Sequence, residues 1–145
     1  RASEILVAVK EASGNLQQVM HLLNGDRPVD FAVLSGDDNL TLPMMACGAH
    51  GLISVVANAY PAYSELVRAA RQGAMPKARA WHYRYLELIE SLFAEGNPAG
   101  VKYVLSQMGI GSAATRLPLV GISDALKVKL DQLMQRVAAS SSAPN

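Results

Sequence analysis

A single lysine stands where an apolar segment of the chain ends, and that placement can produce a nucleophilic amine. Lys10 follows the run Ile5-Leu6-Val7-Ala8-Val9 and precedes Glu11-Ala12-Ser13-Gly14-Asn15. The pattern predicts a buried β-strand, then a turn and a helix start. At the catalytic face of a (β/α) barrel, an amine held among apolar neighbours can lose its proton and condense with a ketone. From this segment alone, a solvated lysine at a strand end is the favoured interpretation.

Two further apolar segments end in the same way. Phe31–Leu34 is followed by Ser35-Gly36-Asp37-Asp38, and Leu52–Val56 is followed by Asn58. These segments are nearly continuous in hydrophobicity, which is typical of parallel strands covered on both faces. Because parallel strands end at one edge of their sheet, their polar ends are expected to gather there with the lysine. The two aspartates fit a paired acid and base, but a helix N-cap followed by a first-turn acid is favoured.

Helical patterns alternate with the strands and then occupy the rest of the chain. They predict helices near 16–23, 40–46, 61–72, 76–94, 98–107 and 123–138. We therefore expect three βα units over 1–60, a helical region over 61–139 and a frayed tail over 140–145. Three parallel strands cannot close a barrel and leave two apolar edges. The other strands are expected from a missing half of the barrel or from copies of this chain.

Composition excludes several classes of function. Of 145 residues, half are hydrophobic, and the formal net charge of +1 gives no basic surface for nucleic acid. No segment is long and apolar enough to span a membrane, so no membrane partner is expected. The one cysteine, Cys47, is expected to be a small buried hydrophobe in a cytoplasmic protein. His21, His50 and His82 lack metal-ligand spacing. The chain begins at Arg1, close to its first strand, as a piece of a larger protein would.

Four motifs, in order and with matching spacing, resemble the dihydrodipicolinate synthase family, the lysine-pathway branch of the pyruvate-dependent class I aldolases. They are Val9-Lys10-Glu11-Ala12-Ser13-Gly14-Asn15, Ser35-Gly36-Asp37-Asp38, Gly51-Leu52-Ile53-Ser54-Val55 with Ala57-Asn58, and Asn97-Pro98 with Val101-Lys102. The resemblance covers nearly the whole chain and corresponds to the second half of that enzyme. It implies the C-terminal portion of a (β/α)8 TIM barrel, with its last three parallel strands followed by C-terminal helices.

The resemblance also implies roles for three residues. Lys10 matches the lysine that forms a Schiff base with pyruvate. The enamine derived from that Schiff base then attacks aspartate semialdehyde. Gly36 and Ile53 match positions that line the pyruvate pocket, although an ordinary turn and a core side chain fit them too. The family needs no cofactor or metal and is homotetrameric. Glu11 is expected to point away from the amine, across the strand.

Two alternatives remain open. N-acetylneuraminate lyases and related sugar-acid aldolases share the lysine but usually carry different residues after it. A catalytically silent half-barrel that serves only as an assembly partner also fits. In the family, the proton-relay tyrosine, its threonine pair and the substrate-binding arginine belong to the first half of the barrel, so we assign none of these roles to Tyr60, Tyr63 or Arg116.

Overall fold

The computed structural model describes residues 6–140, so Arg1, Ile5 and nearly all of the expected tail lie outside the described residues. Its elements are β1 (Ala8–Glu11), α1 (Leu16–Asn24), β2 (Ala32–Ser35), α2 (Thr41–Ala46), β3 (Gly51–Leu52), α3 (Glu65–Arg71), α4 (Met75–Phe93), α5 (Ala99–Gln107) and α6 (Asp124–Ala139). Short 3-10 segments cover Asp38–Leu40, Val56–Asn58 and Pro61–Ser64. The described chain forms two compact units, residues 6–54 with 64–79 and residues 55–63 with 80–140.

The first unit contains a three-stranded parallel sheet in the order β1-β2-β3. β1 lies later in the chain than predicted, so Lys10 is inside the strand and Glu11 ends it. The third strand was predicted to reach Val56, and that is wrong, because β3 ends at Leu52. The cause is its neighbour: β2 ends at Ser35, whose carbonyl accepts the last cross-strand bond from the Ile53 N–H at 2.9 Å.

Burial alternates along the strands, which corrects the prediction that both faces are covered. Val33 and Ser35 are fully buried and Glu11 nearly so, whereas Lys10 is exposed and Leu34 half-buried. Successive side chains of a strand point to opposite faces, so the buried residues share one face and the exposed ones the other. Within the described chain, the sheet is therefore well covered on one face only.

Helices α1 and α2 form the apolar core of this unit. Val19 of α1 packs with Met44 of α2 and with Ala49, which precedes β3. The helical spacing of apolar residues in α1 explains why Val19 points inward, and Asn15 caps the helix by accepting from the Gln18 N–H. Cys47 was predicted to be buried, but it is exposed. It follows the last residue of α2, where the chain turns away through Gly48 with φ +101°.

The second unit is helical, with Leu88, Leu92, Val104 and Leu130 fully or almost fully buried. A helix was predicted from residue 98, but Pro98 holds the capping position and helix α5 begins one residue later, at Ala99. The start of α6 is well capped. Ser123 accepts from the Leu126 N–H and donates its hydroxyl and its own N–H to the Glu95 carboxylate.

Gly100 marks a close approach of α5 to α4. A Cβ at Gly100 would lie 2.3 Å from the backbone oxygen of Leu92. A Gly100→Ala substitution should therefore force the two helices apart and lower the free energy of unfolding by about 1–3 kcal/mol. Gly121→Ala is the matched control, because a Cβ there meets nothing within 4 Å. Urea denaturation of the two variants checks this, and equal midpoints would contradict it.

Candidate active site

Lys10 and Gly36 lie against each other at the carboxyl ends of β1 and β2. A Cβ built on Gly36 would come within 2.8 Å of the Lys10 Cε and 2.5 Å of the Ala12 Cβ. The aliphatic part of the lysine side chain therefore crosses the α-carbon of Gly36. The glycine is needed here for a close approach, which explains its position better than turn geometry does.

Ile53 belongs to the same edge of the sheet. Leu52 pairs with Ser35, so Ile53 is the next residue beside Gly36, and its N–H donates to the Ser35 carbonyl. By strand alternation, Lys10, Gly36 and Ile53 share the less buried face of the sheet. The Ile53 side chain is 47% exposed and is free to form an apolar wall there. The structure thus brings the three predicted site residues together, and their chemical roles stay predictions.

The surroundings of Lys10 differ from the prediction. The sequence predicts a buried strand, yet Lys10 is exposed and Val7, in the approach to β1, is 70% exposed. β1 is the first strand of the sheet, and within residues 6–140 it pairs with β2 alone. Desolvation of an amine at this position requires cover beyond that given by residues 6–140.

Glu11 faces away from the amine, as predicted. It is buried on the opposite face, where its Oε1 accepts from the Ser13 N–H at 3.1 Å and from Gln18 Nε2 at 3.2 Å. Its carbonyl accepts from the Gly36 N–H at 2.7 Å. Glu11 therefore ties the end of β1 both to α1 and to the turn after β2.

The contacts that the structure gives the two aspartates after β2 are structural. Asp37 holds the predicted N-cap position, but its side chain makes no capping bond. Its carbonyl instead accepts from the hydroxyls of Ser35 and Thr41. Asp38 is the predicted first-turn acid, is almost fully buried, and accepts from the Ser54 hydroxyl at 2.5 Å. This bond joins the segment after β3 to the turn after β2.

Sequence reasoning missed two polar partners of this edge, Ser54 and His50. His50 was considered only as a metal ligand, but its Nδ1 accepts from the Val33 N–H at 3.1 Å. The available signal was a polar residue just before the apolar segment, for His50, and one interrupting it, for Ser54. Within residues 6–140, no group of three or more metal-ligating side chains could hold a metal ion. Over the same residues, no helix meets the length and hydropathy needed to cross a membrane.

An aromatic cluster lies within the second unit. The Tyr85 ring packs against Tyr60 and Tyr63 at centroid distances of 5.5 and 5.4 Å and stacks with Trp81. Burial raises the pKa of the Tyr60 hydroxyl, and the neighbouring Tyr85 raises it further. Burial also raises the pKa of Tyr85, which the Arg84 charge partly offsets. Both phenols are therefore neutral at physiological pH, and a packing role for this cluster is supported.

Comparison with known proteins gives a consistent result. A family model described as the dihydrodipicolinate synthetase family matches residues 2–137. The 4-hydroxy-tetrahydrodipicolinate synthase of Geotalea daltonii is 48% identical over 133 residues, which are 90% of this chain and 45% of that protein. The crystal structure of dihydrodipicolinate synthase from Aquifex aeolicus matches with a TM-score of 0.90 and 39% identity, over 94% of this chain and 47% of that one. A structure of the Acinetobacter baumannii enzyme complexed with pyruvate matches with a TM-score of 0.79 and 32% identity, over 89% of this chain and 44% of that one.

The chain spans about half the length of the curated relatives it matches, and that half is the C-terminal one. Its structural relatives are TIM barrels, so the predicted fold class is confirmed. The three parallel strands are the last three of a (β/α)8 barrel, and the C-terminal helices follow them.

The buried carboxylate of Glu11 offers a test of how the end of β1 is held. Glu11→Ala leaves the Ser13 N–H and the Gln18 amide without their shared acceptor, and should lower the free energy of unfolding by about 1–3 kcal/mol. Glu11→Gln keeps an oxygen acceptor and should lose less than half as much. Thermal and urea denaturation of both variants measure the difference. Equal losses would mean that the hydrogen bonds contribute nothing beyond the packing of the side chain.

Proposed function

Because the chain belongs to the dihydrodipicolinate synthetase family, we propose that it is the lysine-bearing half of a synthase that condenses pyruvate with aspartate semialdehyde in lysine biosynthesis. The observation that carries the proposal is the position of Lys10, whose side chain crosses Gly36 at the carboxyl end of β1. A (β/α)8 barrel places its reacting groups at that end of its strands. The pyruvate complex of the Acinetobacter baumannii relative supports the choice of keto acid.

Lys10 is the proposed nucleophile. Its unprotonated amine attacks the ketone carbon of pyruvate, and loss of one water leaves a protonated imine. The imine accepts the electron pair that is released when a methyl proton departs, which gives an enamine. The enamine carbon then attacks the aldehyde of aspartate semialdehyde and forms the new carbon–carbon bond. In this scheme Gly36 leaves room for the lysine and the keto acid, and Ile53 forms an apolar wall beside them.

The exposure of Lys10 explains why we assign activity to a completed barrel and not to this chain by itself. An amine must be unprotonated to attack, and removal of water disfavours its charged form. Upstream strands paired with the outer edge of β1 would enclose the less buried face of the sheet and exclude water from it. They would also bring the acid–base groups of the first half, and such groups are typically worth about 10²–10⁴ in rate. We further propose a cytoplasmic homotetramer for the completed protein.

Trapping of the imine tests the nucleophile. Incubation of the assembled protein, that is this chain with the strands that complete its barrel, with pyruvate and borohydride should add one reduced pyruvate adduct to Lys10 by peptide mass spectrometry. Lys10→Ala should abolish the adduct and lower synthase activity by at least about 10³-fold. Lys77→Ala, at an exposed position of α4, is the control and should leave both unchanged.

An adduct on another lysine, or full activity in Lys10→Ala, would refute this role and favour a silent half-barrel. Turnover of sugar-acid substrates in place of aspartate semialdehyde would keep the Schiff base but identify a sugar-acid aldolase. These outcomes separate the three candidate functions.

The contact between Lys10 and Gly36 gives a second test. Gly36→Ala places a methyl group where the lysine side chain runs, so the amine must move and imine trapping should slow by about tenfold or more. Gly51→Ala is the matched control, because its Cβ meets only the flexible end of the Leu34 side chain, at 3.2 Å. Trapping rates at saturating pyruvate measure the effect. A Gly36→Ala protein that traps pyruvate at the original rate would contradict the proposed path of the side chain.

A further inference from the structure

The segment that leads into β3 is held to β2 by an imidazole. His50 donates its backbone N–H to the Val33 carbonyl at 2.8 Å, and its side-chain Nδ1 accepts from the Val33 N–H at 3.1 Å. One histidine thus satisfies both backbone groups of Val33, a residue with no exposed surface. Buried backbone groups are almost always hydrogen-bonded, so the N–H and the carbonyl of Val33 each need a partner.

The backbone by itself cannot supply this acceptor because the segment 50–53, which contains β3, has one extra residue relative to β2. The Val33 carbonyl accepts from residue 50 and the Ser35 carbonyl accepts from residue 53. The chain therefore advances three residues from position 50 to position 53 while β2 advances two, which is a β-bulge. A bulge disrupts the regular ladder, in which Val33 would donate to a carbonyl of the neighbouring strand. The His50 imidazole takes the place of that carbonyl.

The bulge decides where Ile53 stands. Past the extra residue, Leu52 pairs with Ser35 and Ile53 comes beside Gly36. A slip of one residue in β3 would turn Ile53 to the opposite face of the sheet. Lys10 lies on β1 and would stay where it is, so the register of β3 affects the wall of the site and leaves the nucleophile in place.

We propose that His50 is a positioning residue, which fixes the bulged register of β3 and thereby holds Ile53 against the keto-acid site beside Gly36. The expected effect on pyruvate kinetics rests on the proposed function, whereas the role of His50 in the register of β3 does not. It requires a neutral His50 with its proton on Nε2, because Nδ1 serves as an acceptor. His50 touches no reacting atom in this proposal and acts only through Ile53.

Two substitutions separate the hydrogen bond from simple packing. In His50→Asn, the side-chain oxygen occupies nearly the position of Nδ1 and can accept from Val33, whereas His50→Leu fills the space without an acceptor. In the assembled protein, His50→Leu should raise the KM for pyruvate by about tenfold and change kcat by less than about twofold. His50→Asn should restore most of the affinity. His21→Asn, on an exposed position of α1, is the control and should change neither constant.

Two measurements do not depend on activity. Nitrogen-15 NMR of the unmodified protein should show the Nε2-protonated tautomer of His50, and the Val33 amide should exchange slowly with solvent. The amide should exchange at least about tenfold faster in His50→Leu than in His50→Asn. An Nδ1-protonated tautomer, or equal exchange and equal KM in the two variants, would overturn the inference. A protein that passes these NMR tests but forms no adduct on Lys10 would instead refute the proposed function and leave the structural role of His50 intact.

Discussion

The site depends on one close approach, that of the Lys10 side chain to the backbone of Gly36. Because a Cβ at Gly36 would overlap both Lys10 and Ala12, the lysine can run along the sheet only where the neighbouring strand has no side chain. The approach is set by the parallel pairing of β1 with β2 and by the bond from the Gly36 N–H to the Glu11 carbonyl. The Lys10 side chain is in this way directed to the strand ends.

Polar groups fix the positions of the strand ends around that contact. Glu11 holds the end of β1 to α1, Asp38 accepts from Ser54 after β3, and His50 compensates for the bulge at the beginning of β3. All three act at or beyond the limits of short strands, where the regular ladder offers few backbone bonds. In the first unit, the apolar core supplies the packing, while side-chain hydrogen bonds determine which residues meet at the carboxyl edge of the sheet.

The uneven burial of the sheet is explained by the fold of the family. In a (β/α)8 barrel, helices cover the outer face of the strands, and side chains from all eight strands fill the inner face. This chain contains three of those strands, so Val33 and Ser35 are buried on the outer face while Lys10 and Ile53 on the inner face are exposed. Because the inner face is filled by side chains in a complete barrel, its residues are apolar, and the sequence therefore predicts that they are buried.

The sequence by itself determined the βα rhythm, the helix positions and the family motifs, because hydrophobic periodicity, capping residues and glycines act over a few neighbouring positions. It therefore located Lys10 and Gly36 at strand ends, and it placed Ile53 in the third strand. Tertiary structure decided what depends on partners distant in the chain: the early end of β3, the exposure of Cys47 and the exposure of Lys10. The bulge at His50 was also decided by the tertiary structure, because the register of two strands depends on how they pair and cannot be inferred from either strand alone.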